Sequence, residues 1–147
     1  MTTIILTIIG ILLAAAAALM VIFYGGDAFN SGSIGAQANT LQNAGTNIES
    51  AATLYKVENA TAPASLSDLT TVGADGESYL KEAPALTGVG TASTDLSGGL
   101  FTVTGVSPEV CAKVNENILG DGYTAPAAAG DTKMGCVETS NTFFASL

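Results

Sequence analysis

No charged residue occurs in this chain before Asp27, and from Ile4 to Tyr24 only Thr7 and Gly10 interrupt an apolar run. A helix needs roughly 20 residues to cross a bilayer's hydrocarbon core, at about 1.5 Å each, and this run supplies them. Ile4, Ile5, Leu6, Ile8, Ile9, Ile11, Leu12, Leu13, Leu19, Val21, Ile22 and Phe23 would cover every side of that helix. A helix apolar all round is buried on every side, in lipid or in a bundle. Ala14 to Ala18 form an unbroken alanine run, which favours helix and lets neighbouring backbones approach closely. A lone anchor has no need of it, whereas a helix that packs against copies of itself does. No Lys or Arg precedes the segment. A signal peptide carries a basic start, and a membrane anchor carries basic residues on its cytoplasmic flank. The expectation is that a basic leader has been removed and that Met1 begins the mature protein.

Gly25, Gly26, Gly32 and Gly35 follow within eleven residues. Each costs roughly 1 kcal/mol in a helix interior relative to alanine, so the helix is expected to break here. Beyond them Ile34, Ala38, Leu41, Gly45, Ile48, Ala52 and Tyr55 alternate spacings of four and three, one apolar stripe on a helix. The expected organisation is a hydrophobic helix over 1–26, a glycine-rich break and amphipathic helix over 27–58, and a head over 59–147. The fold class is α+β: a long N-terminal helix packed by its second half on a small antiparallel sheet.

The head reads as short elements. Ser65 or Ser67 is placed to cap a short helix through Leu69, and Tyr79-Leu80-Lys81 before Pro84 reads as extended or turn. Leu100 to Val106 alternates and is β-branched, so it is a strand. Ser107 as N-cap, Pro108 at the first helical position, Glu109 in the first turn and Gly120 past the end define a helix. Its apolar face carries Val110, Cys111, Val114 and Ile118. Met134 to Glu138 and Thr142 to Leu147 read as two strands, which places Cys136 on a strand facing that helix. Cys111 and Cys136 are an even pair in a chain expected to leave the cytoplasm, which suggests a disulfide; the alternative is two buried free thiols.

Thirteen acidic residues stand against four lysines, with no Arg and no His, for a net charge of −9. Without Arg there is no bidentate fork for phosphate, so nucleic acid is not expected as a partner. Without His the commonest general base and metal ligand is missing. The acidity reads as a solvated, self-repelling surface.

The uncharged N-terminal helix, its amphipathic continuation through LQNAGTNIESAATLYK, the segment SLSDLTTVGADGESYLKEAP and the pair Cys111 and Cys136 together resemble a type IV pilin, most closely the type IVb subclass. LFTVTGVSPEVC resembles the strand and helix that carry the first cysteine of that family's C-terminal loop. The resemblance implies a leader cut by a prepilin peptidase and N-methylation of Met1. It implies polymerisation into an extracellular filament for adhesion, motility or DNA transfer, with the inner membrane and the pilus assembly machinery as partners beforehand. One departure matters. Most bacterial pilins carry Glu at the fifth mature position, and here it is Ile5. The charge-pair account of subunit register therefore does not carry over; Thr2, Thr3 and Thr7 offer hydroxyls but no charge. Archaeal pilins and some pseudopilins also lack that Glu.

Other patterns weigh little. Ser78-Tyr79-Leu80-Lys81 fits S-x-x-K without its partner motifs. Gly88-Val89-Gly90 lacks a phosphate-binding context and reads as a turn. Asn59-Ala60-Thr61 makes Asn59 a candidate glycosylation site. Asp75-Gly76-Glu77 is too poor in oxygen ligands for calcium. Phe23, Tyr24, Phe29 and Tyr55 are explained by packing more cheaply than by an electron path. No nucleophile–base–orienter set is present, so neither an enzyme, a cofactor nor a small-molecule substrate is expected. The leading reading is a structural filament subunit; its rival is a membrane-anchored pseudopilin or periplasmic accessory or binding protein of a secretion system.

Overall fold

The structure, a computed structural model, describes residues 2–73, 76 and 78–147; for Thr2, Thr3, Phe23, Tyr24, Gly25 and Asp27 it describes the backbone alone. A single helix, α1, runs Thr2–Asn59. The interruption expected at Gly25, Gly26, Gly32 and Gly35 is not seen in the isolated chain, where all four glycines lie within α1. Helix propagation is cooperative, and long helical flanks on both sides hold glycines whose individual cost is only about 1 kcal/mol. Nothing crowds Gly26, Gly32 or Gly35, so none is there to admit a close neighbour within this chain. Ala60, at φ 54°, takes the left-handed turn that ends the helix. The chain divides into two compact units, Met1–Ile34 and Gly35–Leu147.

In the second unit α1 presents the expected stripe. Ala38, Leu41, Ile48 and Ala52 are buried, joined by Ala44 and Ala51. Next comes α2 (Leu66–Thr70), which follows Ser65. The Asp68 carboxylate reaches back to accept from the backbone N–H groups of Ser65 at 2.8 Å and Ala64 at 2.9 Å. This satisfies donors that a helix start leaves unpaired. Leu66 and Leu69 turn into the core.

Among the described residues β1 (Thr91–Ala92), β2 (Leu100–Thr104), β3 (Met134–Val137) and β4 (Thr142–Ser146) form a sheet in the order β1-β2-β4-β3. Every neighbouring pair is antiparallel. The register sets Phe101 opposite Ala145 and Val103 opposite Phe143, with Met134 and Cys136 opposite the same two β4 residues. Directly opposed residues share a face, so these six line one side of the sheet. That side receives α1. A Cβ built on Gly45 would meet Met134 Cε at 2.8 Å and Phe143 and Ala145 at 3.1 Å, so glycine is what lets helix and sheet approach. The other side carries Phe144 and Gly135, and Pro126 packs there from the loop before β3.

Helix α3 (Pro108–Leu119) begins as its sequence dictates. Ser107 Oγ accepts from the Val110 N–H at 3.4 Å, Pro108 opens the first turn, and Gly120 leaves the helix at φ 87°. Its buried face holds Val110, Cys111, Val114 and Asn115.

Candidate functional site

The strongest candidate for a working surface is the apolar stretch of α1. Ile4–Ile22 spans 19 residues of very high hydropathy, none of them buried. The large side chains Ile4, Ile5, Leu6, Ile8, Ile9, Ile11, Leu12, Leu13, Leu19, Val21 and Ile22 are all exposed, from 48% at Ile9 to 73% at Val21. The Phe23 side chain lies outside the described residues. Soluble monomers rarely expose a contiguous apolar patch beyond a few hundred Å². No charged group lies within this stretch to snorkel or pair. Its length suits either a bilayer or the inside of a helix bundle.

The second candidate is the clasp between α3 and β3. Cys111 and Cys136 are joined by a disulfide, with Cα atoms 5.4 Å apart and both residues fully buried. One turn beyond Cys111 on the same helix face, Asn115 is also fully buried. Its Nδ2 donates to the Cys136 carbonyl oxygen at 2.9 Å, and its Oδ1 accepts from the Cys136 N–H at 2.8 Å. The side-chain amide therefore takes the place of a neighbouring strand on the open edge of β3. An unpaired sheet edge invites pairing with another chain, and here one residue of it is closed by a side chain. Asn115 Nδ2 also reaches Glu138 Oε1 at 3.1 Å, and the Tyr123 hydroxyl donates to the same oxygen at 2.6 Å. That contact with the Glu138 carboxylate pushes the Tyr123 hydroxyl up to about 12. The sequence reading found both cysteines but missed Asn115. The available signal was a polar residue four positions after Cys111 on an otherwise apolar face.

A shallow groove of about 290 Å³ in the second unit is lined by Tyr55, Asn59, Asp68, Thr71, Val72, Gly73 and Tyr79. Its polar groups are committed to structure. Asp68 is held below the usual carboxylate range chiefly by the Ser65 backbone N–H. Tyr79 donates to Glu58 at 2.5 Å, which raises its pKa, and it meets Tyr55 edge-on at 5.3 Å between ring centres. Asn59 Nδ2, the atom that would carry a glycan, donates to the Tyr79 hydroxyl at 3.0 Å and to the Tyr55 carbonyl oxygen at 3.1 Å. Phe29, expected to pack, is 83% exposed in the isolated chain. No group of three His, Cys, Asp or Glu able to hold a metal occurs among the described residues. Met1, Asp75 and Glu77 lie outside those residues, as do the hydroxyls of Thr2 and Thr3.

Comparison with protein-family models, curated proteins and solved structures finds no match.

Proposed function

We propose that this chain is a pilin-like structural subunit, held in the membrane by α1 and then polymerised through it into an extracellular filament. The observation that carries this reading is the uncharged, wholly exposed Ile4–Ile22 stretch within the same helix whose second half, Ala38 to Ala52, forms part of the head's core. A helix apolar on all sides suits lipid first and a bundle of its own copies afterwards, so leaving the membrane exposes little new apolar surface to water. The head's net negative charge keeps filaments dispersed. The clasped head, disulfide included, suits a protein that works outside the cytoplasm.

In this reading the glycine-rich segment opens on assembly. Contacts with neighbouring copies supply the free energy that the isolated helix lacks, and the four glycines set where unwinding costs least. An unwound residue spans about 3.3 Å instead of about 1.5 Å, so a filament under tension lengthens there without subunits separating.

Negative-stain microscopy of sheared cell-surface material is the test. Long filaments that contain this chain are expected. A chain found only in the membrane fraction, with no filament, would point to the accessory role instead.

A further inference from the structure

Two successive turns of α3 attach to one residue of β3. Cys111 reaches Cys136 through the disulfide, and Asn115, one turn on, reaches the backbone of the same Cys136 through its amide. Residues at this spacing share a helix face, so both attachments leave α3 on one side. All three residues are fully buried. Cys136 opposes Phe143 of β4, yet its N–H and its carbonyl oxygen both turn to Asn115, on the outer edge of the sheet. The two residues are therefore a non-hydrogen-bonded pair of the ladder, and the Cys136 backbone depends on that one side chain.

The amide is held in one orientation. Nδ2 faces two acceptors, the Cys136 carbonyl oxygen at 2.9 Å and Glu138 Oε1 at 3.1 Å, while Oδ1 faces the Cys136 N–H at 2.8 Å. A flipped amide would set Oδ1 against both acceptors and Nδ2 against a donor. The Tyr123 hydroxyl secures the carboxylate in turn, donating to the same Glu138 oxygen at 2.6 Å. Val110 and Val114 are also buried from α3, but apolar burial is non-directional and tolerates sliding. The paired hydrogen bonds do not. A slip of one residue along β3 would present Asn115 with backbone groups that turn toward β4.

We propose that Asn115 is a positioning residue for the Cys111–Cys136 disulfide: its amide docks α3 on β3 in the reduced chain and holds the two thiols at bridging separation. The Cα atoms stand 5.4 Å apart, within the range a disulfide spans. Closing the bond removes a proton and an electron from each thiol, and a disulfide oxidant takes them and leaves as two thiols. Where α3 is undocked, that step must also order the helix against the strand edge. Where Asn115 has docked it, the ordering is already done and the bond forms more favourably. The chain holds two cysteines, so the competing product is a bond between copies. The clasp favours the bond within one copy, whether or not copies assemble.

The test equilibrates the full-length protein in detergent with set ratios of reduced and oxidised glutathione, traps free thiols by alkylation and counts them by intact mass. The effective concentration of the thiol pair should fall about 10- to 100-fold in Asn115→Ala, as expected for the loss of two hydrogen bonds to buried groups. Asp68→Ala removes the cap of α2, which attaches beside β1 at the opposite edge of the sheet from β3. It should change the value less than about threefold. Urea that unfolds the head should erase the difference between the parent and Asn115→Ala. Equal values for those two in native buffer, or equal falls in the two variants, overturn the proposal. The parent protein supplies an independent measurement. With both thiols reduced, the Cys136 amide hydrogen should stay protected from exchange with deuterated water, because Asn115 Oδ1 accepts it. Exchange at the rate of an exposed loop in the reduced, folded head overturns the proposal whatever the variants do.

Discussion

Between Ile4 and Ile22 every large apolar side chain of α1 is exposed, whereas between Ala38 and Ala52 six apolar residues of the same helix are buried against the head. The two stretches share backbone geometry and differ in pattern. The first has no polar face to turn to water. The second has a stripe at three-and-four spacing, matched to the sheet face of Phe101, Val103, Phe143 and Ala145. Periodicity decides whether a helix completes its own fold or depends on an environment.

The sharpest way to break this comparison is a charge in the first stretch. Leu12→Asp places a carboxylate at the middle of Ile4–Ile22, at a cost of about 2.5–3.5 kcal/mol in a membrane setting. Filament yield should collapse while the thermal midpoint of the head, followed by near-ultraviolet circular dichroism, stays unchanged. A head that melts earlier would mean the two stretches are not independent.

The clasp tests the second stretch's partner layer. Asn115→Ala strips two hydrogen bonds from the buried Cys136 backbone and should cost the head about 2–4 kcal/mol in urea unfolding. Replacing Cys111 by Ser should cost about 2–5 kcal/mol. If Asn115→Ala were neutral, the open edge of β3 would not need its amide.

Glycine substitutions sharpen the comparison within one helix. Gly45→Ala drives a Cβ into Met134, Phe143 and Ala145 and should destabilise by about 1–3 kcal/mol despite the gain in helix propensity. Gly32→Ala meets nothing and should stabilise the isolated helix by about 0.5–1 kcal/mol, read by helical circular dichroism in detergent. Opposite signs are expected, and equal signs would refute the packing assignment of Gly45.

Much of this was legible because the signals were local. Ser107, Pro108 and Gly120 bound α3 through backbone chemistry that needs no tertiary context, and alternation marked β2. The disulfide followed from an even pair of cysteines. Two things were not legible. β1 is only two residues long and exists because Thr91 and Ala92 pair with Thr104 and Val103, a non-local fact. Asn115 reads as an ordinary helix residue until β3 is placed beside it. In the isolated chain no break is seen at the glycines, because the local cost at Gly25, Gly26, Gly32 and Gly35 is offset by cooperative helix on either side.

The smallest expected effect is a pH dependence. The Tyr123 hydroxyl, whose pKa is raised to about 12 by Glu138, favours the folded state while protonated. Its contribution is complete below the ordinary tyrosine value near 10 and is lost as pH rises from there through about 12. Tyr123→Phe should flatten that part of the stability profile in urea titrations between pH 9 and pH 12. An unchanged slope would show that the contact with Glu138 contributes nothing.

The central claim is that Ile4–Ile22 is covered by copies of itself once the chain leaves the membrane. A backbone-resolving electron-microscopy map of the sheared filaments tests it most directly. The account predicts α1 at the filament axis, with Ile4–Ile22 enclosed by α1 helices of neighbouring copies and the acidic heads outside. A map in which that segment lies on the solvent-facing surface, or in which the heads alone make the contacts between copies, would contradict it.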